Sequence, residues 1–215
     1  MLKRPKIKKP FLLILSHKNS QCRDIQHLKI KSQSIAYNFY YYYFIGDINL
    51  KQNYFVDEVN KIVYLKVPDN YESLSLKVYE SFRFINDNFE DICGVFKTDD
   101  DIDLDLNKIF KLNTTYSNFD YYGLKNEIVD DYSFYHFGKC ENDILNNLPM
   151  KTPITCYCSG GGYYLNAKNI KYVLSSYKIF STIIYEDVAV GHVLSTNGIK
   201  LINVDVKNNG FSWWN

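Results

Sequence analysis

The sequence lacks the features that mark membrane proteins and nucleic-acid-binding proteins. Near the amino terminus the only continuous apolar run is Phe11 to Leu15, whereas a signal-peptide core needs ~7–15 apolar residues and a membrane span ~20. The 25 basic residues are balanced by 24 acidic ones, for a formal net charge of +1, so the chain has no overall positive field to attract nucleic acid. We therefore expect a soluble protein without a transmembrane segment, in the cytoplasm of the producing cell or its host, with a secretory compartment left open.

Several motifs of metal, disulfide and nucleotide chemistry are also missing. The five cysteines are an odd number without a C-x-x-C pair, so neither a zinc site nor a complete disulfide framework is expected. The phosphate-loop and G-x-G-x-x-G fingerprints are absent, and no Ser-His-Asp or Cys-His arrangement can be assembled from spacing. The histidines likewise show no metal-ligand spacing: His17, His27, His136 and His192.

What the sequence does have is a composition suited to one globular domain. Of its 215 residues, 46% are hydrophobic, which is enough to build a real core at this length. We expect a single domain over residues 1–215, with residues 1–10 as a basic disordered tail. The 20 tyrosines and the frequent Lys, Asn and Ile are what AT-rich coding sequence also produces, as in large viruses and protists.

Apolar periodicity predicts strands and helices that alternate along the first half of the chain. A helix is predicted at 23–34, with Ile25 and Leu28 on one face, and a second over a stripe of apolar residues with helical spacing. Strands are predicted at 11–15, 37–47, 61–67 and 92–96. This order is typical of an α/β domain with a mostly parallel sheet flanked by helices. The members of the stripe are Leu74, Val78, Phe82, Ile85 and Phe89.

The second half has weaker patterns. Residues 116–153 show little periodicity, and we expect loops and short strands there. Helices are predicted at 167–177 and 186–196, the latter ended by Asn197 and Gly198, and a last strand at 199–206. Three consecutive glycines, Gly160, Gly161 and Gly162, allow unusual backbone angles or the close approach of a ligand.

Two acidic groups could carry chemistry. Asp99, Asp100 and Asp101 directly follow a predicted buried strand, and ligands of open α/β sheets bind outside the carboxyl ends of the strands. Mg²⁺ and Mn²⁺ typically take one or two carboxylates together with substrate phosphates. A solvated acidic turn is the alternative. An EF-hand is excluded, because the glycine and glutamate that it needs at positions six and twelve are replaced by apolar residues.

The second acidic group is Glu186 and Asp187, at the start of a predicted helix. Acids are favoured there by the helix dipole, which is a purely structural explanation. A carboxylate held at a helix start beside a glycine-rich segment could also act as a general base toward a hydroxyl nucleophile.

Four stretches, taken in order and spacing, resemble the β-1,3-glycosyltransferases of glycosyltransferase family 31, which include galactosyl-, N-acetylglucosaminyl- and Fringe-type enzymes. "VFKTDDDIDLD" is similar to the family's Lys-x-Asp-Asp-Asp-Val motif, which contains the metal-binding D-x-D. "YEDVAVGHVLSTNGIKL" is similar to its Glu-Asp-Val-x-x-Gly motif. "CYCSGGGYYLN" resembles its Tyr-Cys-Ser-Gly-x-Gly-Tyr segment, and "DNYESLSLKVYESFRFI" its Leu-x-Leu-Lys segment with the following helix.

The resemblance implies a single catalytic domain with the GT-A fold, a UDP-sugar donor, Mn²⁺ or Mg²⁺ as cofactor, and inversion at the anomeric carbon. The acceptor would be a hydroxyl of a glycan or glycoprotein. It also implies a role for each matching residue. Asp101 and Asp99 would bind the metal, and Asp99 and Asp100 would support the contacts to the metal and the ribose. Asp187 would be the general base, with Glu186 beside it. The remaining matches would line the donor and acceptor sites: Lys77, Gly160, Gly161 and Gly162.

One departure from the family pattern affects the metal. Many family members end in a Phe-x-His-Trp stretch whose histidine can complete the metal shell, whereas this chain reads "GFSWWN" with Trp213 at that place. Two alternatives to an active transferase stay open, and Trp213 bears on the first of them. One is a catalytically silent protein of the same fold that binds nucleotide sugars or glycans, and the other is a metal-dependent phosphoryl-transfer or hydrolytic enzyme that uses the acidic triplet.

Overall fold

In the computed structural model, which describes residues 8–213, an eight-stranded mixed sheet runs through the molecule in the order β11-β7-β10-β5-β1-β2-β4-β3. Two small two-stranded sheets, β12-β6 and β8-β9, are added to it. The strands are β1 Lys9–Leu15, β2 Tyr40–Gly46, β3 Tyr54–Asp57, β4 Ile62–Leu65, β5 Ile92–Asp99, β6 Ile102–Leu104, β7 Tyr121–Ile128, β8 Tyr132–Ser133, β9 Met150–Lys151, β10 Thr155–Asn166, β11 Leu201–Asn203 and β12 Phe211–Trp213.

Helices cover both faces of the large sheet. Strand β1 is parallel to both β2 and β5, and its apolar side chains alternate between the two core clusters, so it is buried on both faces as central parallel strands are. The helices are α1 Cys22–Ala36, α2 Leu74–Asn88, α3 Leu106–Thr115, α4 Ile170–Leu174, α5 Tyr177–Phe180 and α6 Glu186–Thr196. Helices α2, α4 and α6 supply buried residues to one cluster, while α1 and α3 supply them to the other.

The predicted α/β class with a mostly parallel sheet is confirmed. Helix α6 has the predicted bounds, and Gly198 follows it with a φ of +75°. The predicted face of α1 is wrong, because Ile25 and Leu28 are exposed while Gln26 and Ile30 are buried. The weakly patterned stretch contains β7, a full strand of the large sheet, and the helix predicted at 167–177 is divided into a short turn, α4 and α5.

Some predictions concern the ends of the chain and its thiols. Residues 1–7 of the predicted tail lie outside the described residues, and the prediction is wrong for Lys9 and Pro10, because they belong to β1. All five cysteines are free thiols, as expected. Among the helices of residues 8–213, none combines the length and the apolar content that crossing a bilayer requires.

Candidate active site

The acidic triplet lies where two parallel strands end together. Leu15 of β1 is the register partner of Asp99 of β5, and the backbone N–H of Asp100 donates to the Leu15 carbonyl at 3.0 Å. Because β1 and β5 are parallel, their carboxyl ends lie at the same edge of the sheet, where this fold class binds ligands. The triplet therefore has the position that the sequence predicts.

The three carboxylates have different surroundings. Asp99 accepts from the ammonium of Lys97 at 2.8 Å, and Asp100 is buried and accepts from the hydroxyl of Ser16. Asp101 is exposed and makes no ion pair with any residue between 8 and 213. Surrounding protein atoms raise the pKa of Asp101, and the negative charges of Asp99 and Asp100 raise it further. A nearby cation would stabilise the ionised form of a carboxylate in this position.

The two following aspartates belong to the scaffold instead. Asp103 forms a 2.8 Å ion pair with Lys29 of α1. Asp105 caps α3, because its side chain accepts from the backbone N–H groups of Asn107 and Lys108. The acidic run "DDDIDLD" is thus divided into a site portion and a structural portion.

Lys97 joins the triplet to the second acidic pair. Its side chain is 1% exposed, and its ammonium donates to Asp99, to the Gly160 carbonyl at 2.7 Å and to Glu186. Burial lowers the pKa of a lysine, but here the charges of Asp99 and Glu186 outweigh it and hold the pKa of Lys97 above its usual value. Three elements, β5, β10 and α6, therefore meet at one buried ammonium group.

Glu186 and Asp187 occupy the first turn of α6, as predicted. Burial raises the pKa of Glu186 to about 7, against the opposing charge of Lys97. Asp187 accepts from the backbone N–H groups of Gly160 at 3.1 Å and Val188 at 2.9 Å. Burial raises the pKa of Asp187 as well, although Lys97 lowers it. Both carboxylates thus bind a proton more readily than exposed glutamate and aspartate side chains do.

The three glycines permit close packing. A Cβ on Gly160 would lie 2.5 Å from the Oε1 atom of Glu186, and one on Gly161 would lie 2.6 Å from the ring of Trp213. A Cβ on Gly162 would lie 2.8 Å from the Phe211 ring. Each glycine lies in β10 with negative φ; among described residues the positive-φ glycines are elsewhere in the chain. The glycine triplet was predicted to allow either unusual backbone angles or the close approach of a ligand. The structure does not show the unusual backbone angles.

Two cavities meet at the acidic centre. The larger, of about 720 Å³, is lined by Asp187, Gly160, Gly161 and Trp213 among others, and the smaller, of about 520 Å³, by Asp100, Lys77 and His17. Both are lined by the same five residues: Tyr71, Leu74, Asp99, Asp101 and Glu186. The arrangement can hold two ligands whose ends meet beside Asp99 and Asp101.

Lys77 and Trp213 border these cavities. The ammonium of Lys77 is buried, forming an ion pair with Asp69 at 2.6 Å and donating to the Ser16 carbonyl at 3.0 Å. Direct contact of Lys77 with a substrate stays a prediction. Trp213 of β12 is held by antiparallel pairing with Ile102 and by packing on Gly161, and it lines the larger cavity.

Most of the segments that form this site lie within a region that matches the model of a known protein family. Residues 31–205 match the model of the Galactosyltransferase family, a range that includes both acidic groups and the glycine triplet. The chain belongs to the galactosyltransferase family.

Individual relatives agree with this assignment. The UDP-GalNAc:beta-1,3-N-acetylgalactosaminyltransferase 1 of Sus scrofa is 27% identical over 140 residues, which are 64% of this chain and 40% of that protein. The enzyme of the same name from Homo sapiens is 28% identical over 129 residues, covering 59% of this chain and 38% of that protein. The matched region thus spans about two fifths of the length of these relatives.

Solved structures show the same fold at low sequence identity. A glycosyltransferase involved in glycosylation of the major capsid of PBCV-1 has a TM-score of 0.52 and 11% identity, with 92% of this chain and 83% of that chain covered. The 2-C-methyl-D-erythritol 4-phosphate cytidylyltransferase of Francisella tularensis has a TM-score of 0.52 and 13% identity, with 92% and 90% covered.

The donor atoms of this galactosyltransferase-family chain fit a divalent cation that is shared with a ligand. Within residues 8–213 no three His, Cys, Asp or Glu side chains form a ready metal cluster. Asp101 is free of ion pairs in that part of the chain and shares both cavities with Asp99. This donor set suits Mg²⁺ or Mn²⁺, which use few protein carboxylates and complete their shell with phosphate and water.

Two residues of this site have no role predicted from the sequence, although both stand in the quoted family motifs. Lys97 precedes Asp99 by two positions, and because side chains of a strand alternate, such spacing puts both on one face of β5. That spacing was one available signal, and the place of Lys97 as the lysine of the Lys-x-Asp-Asp-Asp-Val motif was the other. Tyr163, whose hydroxyl donates to Glu186 at 3.4 Å, lies directly after the glycine triplet, and its signal was its place as the closing tyrosine of the Tyr-Cys-Ser-Gly-x-Gly-Tyr segment.

Proposed function

We propose that this chain is a metal-dependent, inverting glycosyltransferase. It would move a hexose or N-acetylhexosamine from a UDP-sugar to a hydroxyl of a glycan or glycoprotein, with a β-1,3 linkage. The observation that carries the proposal is the meeting of two cavities at Asp99, Asp101 and Glu186, because a transferase must bring two substrates to one centre. The family and the names of the relatives support the UDP-sugar and the linkage.

The smaller cavity would take the nucleotide diphosphate. It opens at the carboxyl ends of β1 and β5, and Asp100 and Lys77 border it. Asp101 and Asp99 would hold Mn²⁺ or Mg²⁺ between the two cavities. The bound cation would neutralise the charge of the diphosphate and so make it a better leaving group.

The larger cavity would take the acceptor and the donor sugar. Asp187 lines this cavity, and its carboxylate is fixed by two backbone N–H groups. Because burial raises its pKa, Asp187 is a better proton acceptor than an exposed aspartate, as a general base for a sugar hydroxyl needs to be. Gly160 and Gly161 form the wall beside it, with Glu186 as its neighbour.

A silent protein that binds nucleotide sugars or glycans is the second candidate function. Trp213 favours it, since an indole fills the place where a metal-ligating histidine is expected and packs on the glycine wall. An active transferase is better supported, because both acidic groups reach the shared centre.

A panel of UDP-sugars separates the two functions. Purified protein is incubated with each donor and Mn²⁺, with and without simple glycosides as acceptors, and released UDP is measured. We expect release that depends on Mn²⁺ and on one donor and that rises with an acceptor. Asp101→Asn should abolish this release, whereas the matched Asp103→Asn should retain it because Asp103 pairs with Lys29 away from the cavities. Binding of UDP without turnover of any donor would favour the silent protein.

A further inference from the structure

The most unusual group outside the assigned residues is the ammonium of Lys97. It is almost completely buried, yet it carries a charge and makes three contacts with oxygen atoms of Asp99, Glu186 and Gly160. A buried charge is tolerated only with partners arranged around it. Here every partner belongs to the candidate active site.

We propose that Lys97 is a positioning residue that fixes the donor side of the site against the acceptor side. This inference rests on the proposed function. Asp99 belongs to the end of β5, Glu186 to the first turn of α6, and Gly160 to β10. One ammonium thus fixes the distance between the carboxylate proposed for the metal and the helix turn that carries Asp187.

The backbone around Lys97 is shaped to admit this contact. A side chain at position 160 would place its Cβ 2.5 Å from Glu186 and 3.2 Å from the ammonium of Lys97. Gly160 therefore serves the ion pair as well as the cavity wall. The same residue uses its N–H to hold Asp187 and its carbonyl to hold Lys97, so the two acidic groups are linked through one peptide segment.

The contacts also separate the roles of the two neighbouring acids. Glu186 is buried, and its two oxygens are taken by Lys97 and by the Tyr163 hydroxyl. Asp187 is partly exposed, and its oxygens accept only from backbone N–H groups of the described residues. Lys97 and Tyr163 thus occupy both oxygens of Glu186, whereas among the described residues no side chain donates to the oxygens of Asp187, which is left as the proton acceptor.

Kinetics of Lys97→Met test the assignment, with Lys168→Met as the matched control because Lys168 pairs with Asp120 at the surface. We expect kcat to fall about 100-fold in Lys97→Met, as for other displacements of about 1 Å at reacting groups. The KM for the acceptor should change less than threefold (about 0.7 kcal/mol or less), and Lys168→Met should match the wild type. Equal kcat in Lys97→Met and wild type would overturn the proposal.

A second variant keeps the test valid if Lys97→Met does not fold. Lys97→Met combined with Glu186→Gln removes both charges and leaves no unpaired partner of Lys97 on α6. This double variant should fold and should still lose at least tenfold in kcat, because Asp99 is no longer held. A double variant with wild-type kcat would contradict a positioning role.

Crystal structures of the wild type and the variants give a readout that needs no turnover. In the variants that lack Lys97, we expect the distance between the carboxylates of Asp99 and Asp187 to change by about 1 Å or more. If the wild type turns over no donor, the proposed function fails, and the structures alone decide the role of Lys97. Unmoved carboxylates would reject that role even in an active enzyme.

Discussion

At the scale of single residues, the candidate active site carries more negative charge than its protein partners balance. One buried ammonium, that of Lys97, faces several carboxylates, and the pKa values of Asp101, Glu186 and Asp187 are all raised, in each case chiefly because nearby protein atoms displace water from the carboxylate. Unbalanced buried carboxylates cost free energy unless they are protonated or paired. A bound divalent cation would supply the missing positive charge, which is consistent with the proposed metal site.

Asp187→Asn tests the proposed base. The amide has nearly the same shape, and its oxygen can accept from one of the two N–H groups that the carboxylate binds, but it cannot take a proton. We expect kcat to fall by about 10²–10⁴-fold, while UDP binding in the presence of Mn²⁺, measured by calorimetry, stays unchanged. Glu80→Gln is a suitable control, because Glu80 is also a carboxylate with a pKa raised by burial but pairs with Arg83 on α2. Unchanged turnover in Asp187→Asn would exclude Asp187 as the base.

Trp213→His tests whether position 213 faces the cation. The indole lines the larger cavity together with Asp99 and Asp101, so an imidazole there could add a ligand. We expect the affinity for Mn²⁺ in the presence of UDP to rise about tenfold, equivalent to roughly 1.4 kcal/mol, as measured by calorimetry. Trp213→Phe, which keeps an aromatic ring against Gly161 without a metal ligand, should show no such gain. Equal Mn²⁺ affinities of the two variants would mean that position 213 does not reach the cation.

At the scale of elements, the patterns that predicted structure correctly were those in which local and tertiary preferences agree. The apolar stripe of α2 is buried at Val78, Phe82 and Ile85. Helix α1 shows the opposite case. Its Gln26 is buried because its amide donates to the carbonyls of Asp99 and Ile102, so a polar residue supports the acidic turn while apolar neighbours face solvent. The periodicity of apolar residues could not predict that Gln26 is buried, because its hydrogen-bond partners belong to the turn at the end of β5.

Long-range pairing explains the other differences. Strand β7 has no clear alternation of apolar residues, yet it lies between β10 and β11 and is stabilised by hydrogen bonds to both. The glycine triplet lies inside β10, which passes through it as a strand with a shift of register between Cys158 and Tyr163. The partners of these strands are remote in the chain, so no short stretch predicts them.

Helix α3 gives a prediction at the same scale. Its first turn is capped by Asp105, which accepts from two backbone N–H groups. We expect Asp105→Ala to lower the free energy of unfolding by about 1 kcal/mol, measured by urea denaturation. The matched Asp103→Ala removes only an exposed ion pair with Lys29 and should cost between about 0 and 1 kcal/mol, with a value below that of Asp105→Ala. Equal losses in the two variants would contradict the cap.

At the scale of the whole molecule, the candidate site is built from segments far apart in sequence that the sheet brings to one edge. The positions of Asp99 to Asp101 and of Asp187 could be predicted, because strand ends and helix starts at this edge have recognisable patterns. The ion pair between Lys97 and Glu186 could not, because it links β5 to α6 across the glycine triplet of β10. It depends on the packing of all three elements.

The stability of the whole molecule should depend on pH through this site. Glu186 has an ordinary pKa of 4.5 and a pKa of about 7 in the folded protein. Between these values the folded protein holds a proton that the unfolded chain has released, so the free energy of unfolding falls as the pH rises from 4.5 to 7. The raised pKa values of Asp101 and Asp187 act in the same direction.

Glu186→Gln isolates this contribution, because the amide resembles the protonated carboxyl group at every pH. In urea denaturation without metal, we expect the free energy of unfolding to fall more between pH 4.5 and pH 7.5 in the wild type than in Glu186→Gln. Groups whose pKa is unaffected by the substitution cancel in the comparison. Saturating Mn²⁺ and UDP should stabilise the wild type more at pH 7.5 than at pH 5, since a cation favours the ionised carboxylates. Parallel pH profiles of the two proteins would show that Glu186 is ionised throughout, and the charge of the site would then be balanced without a bound cation.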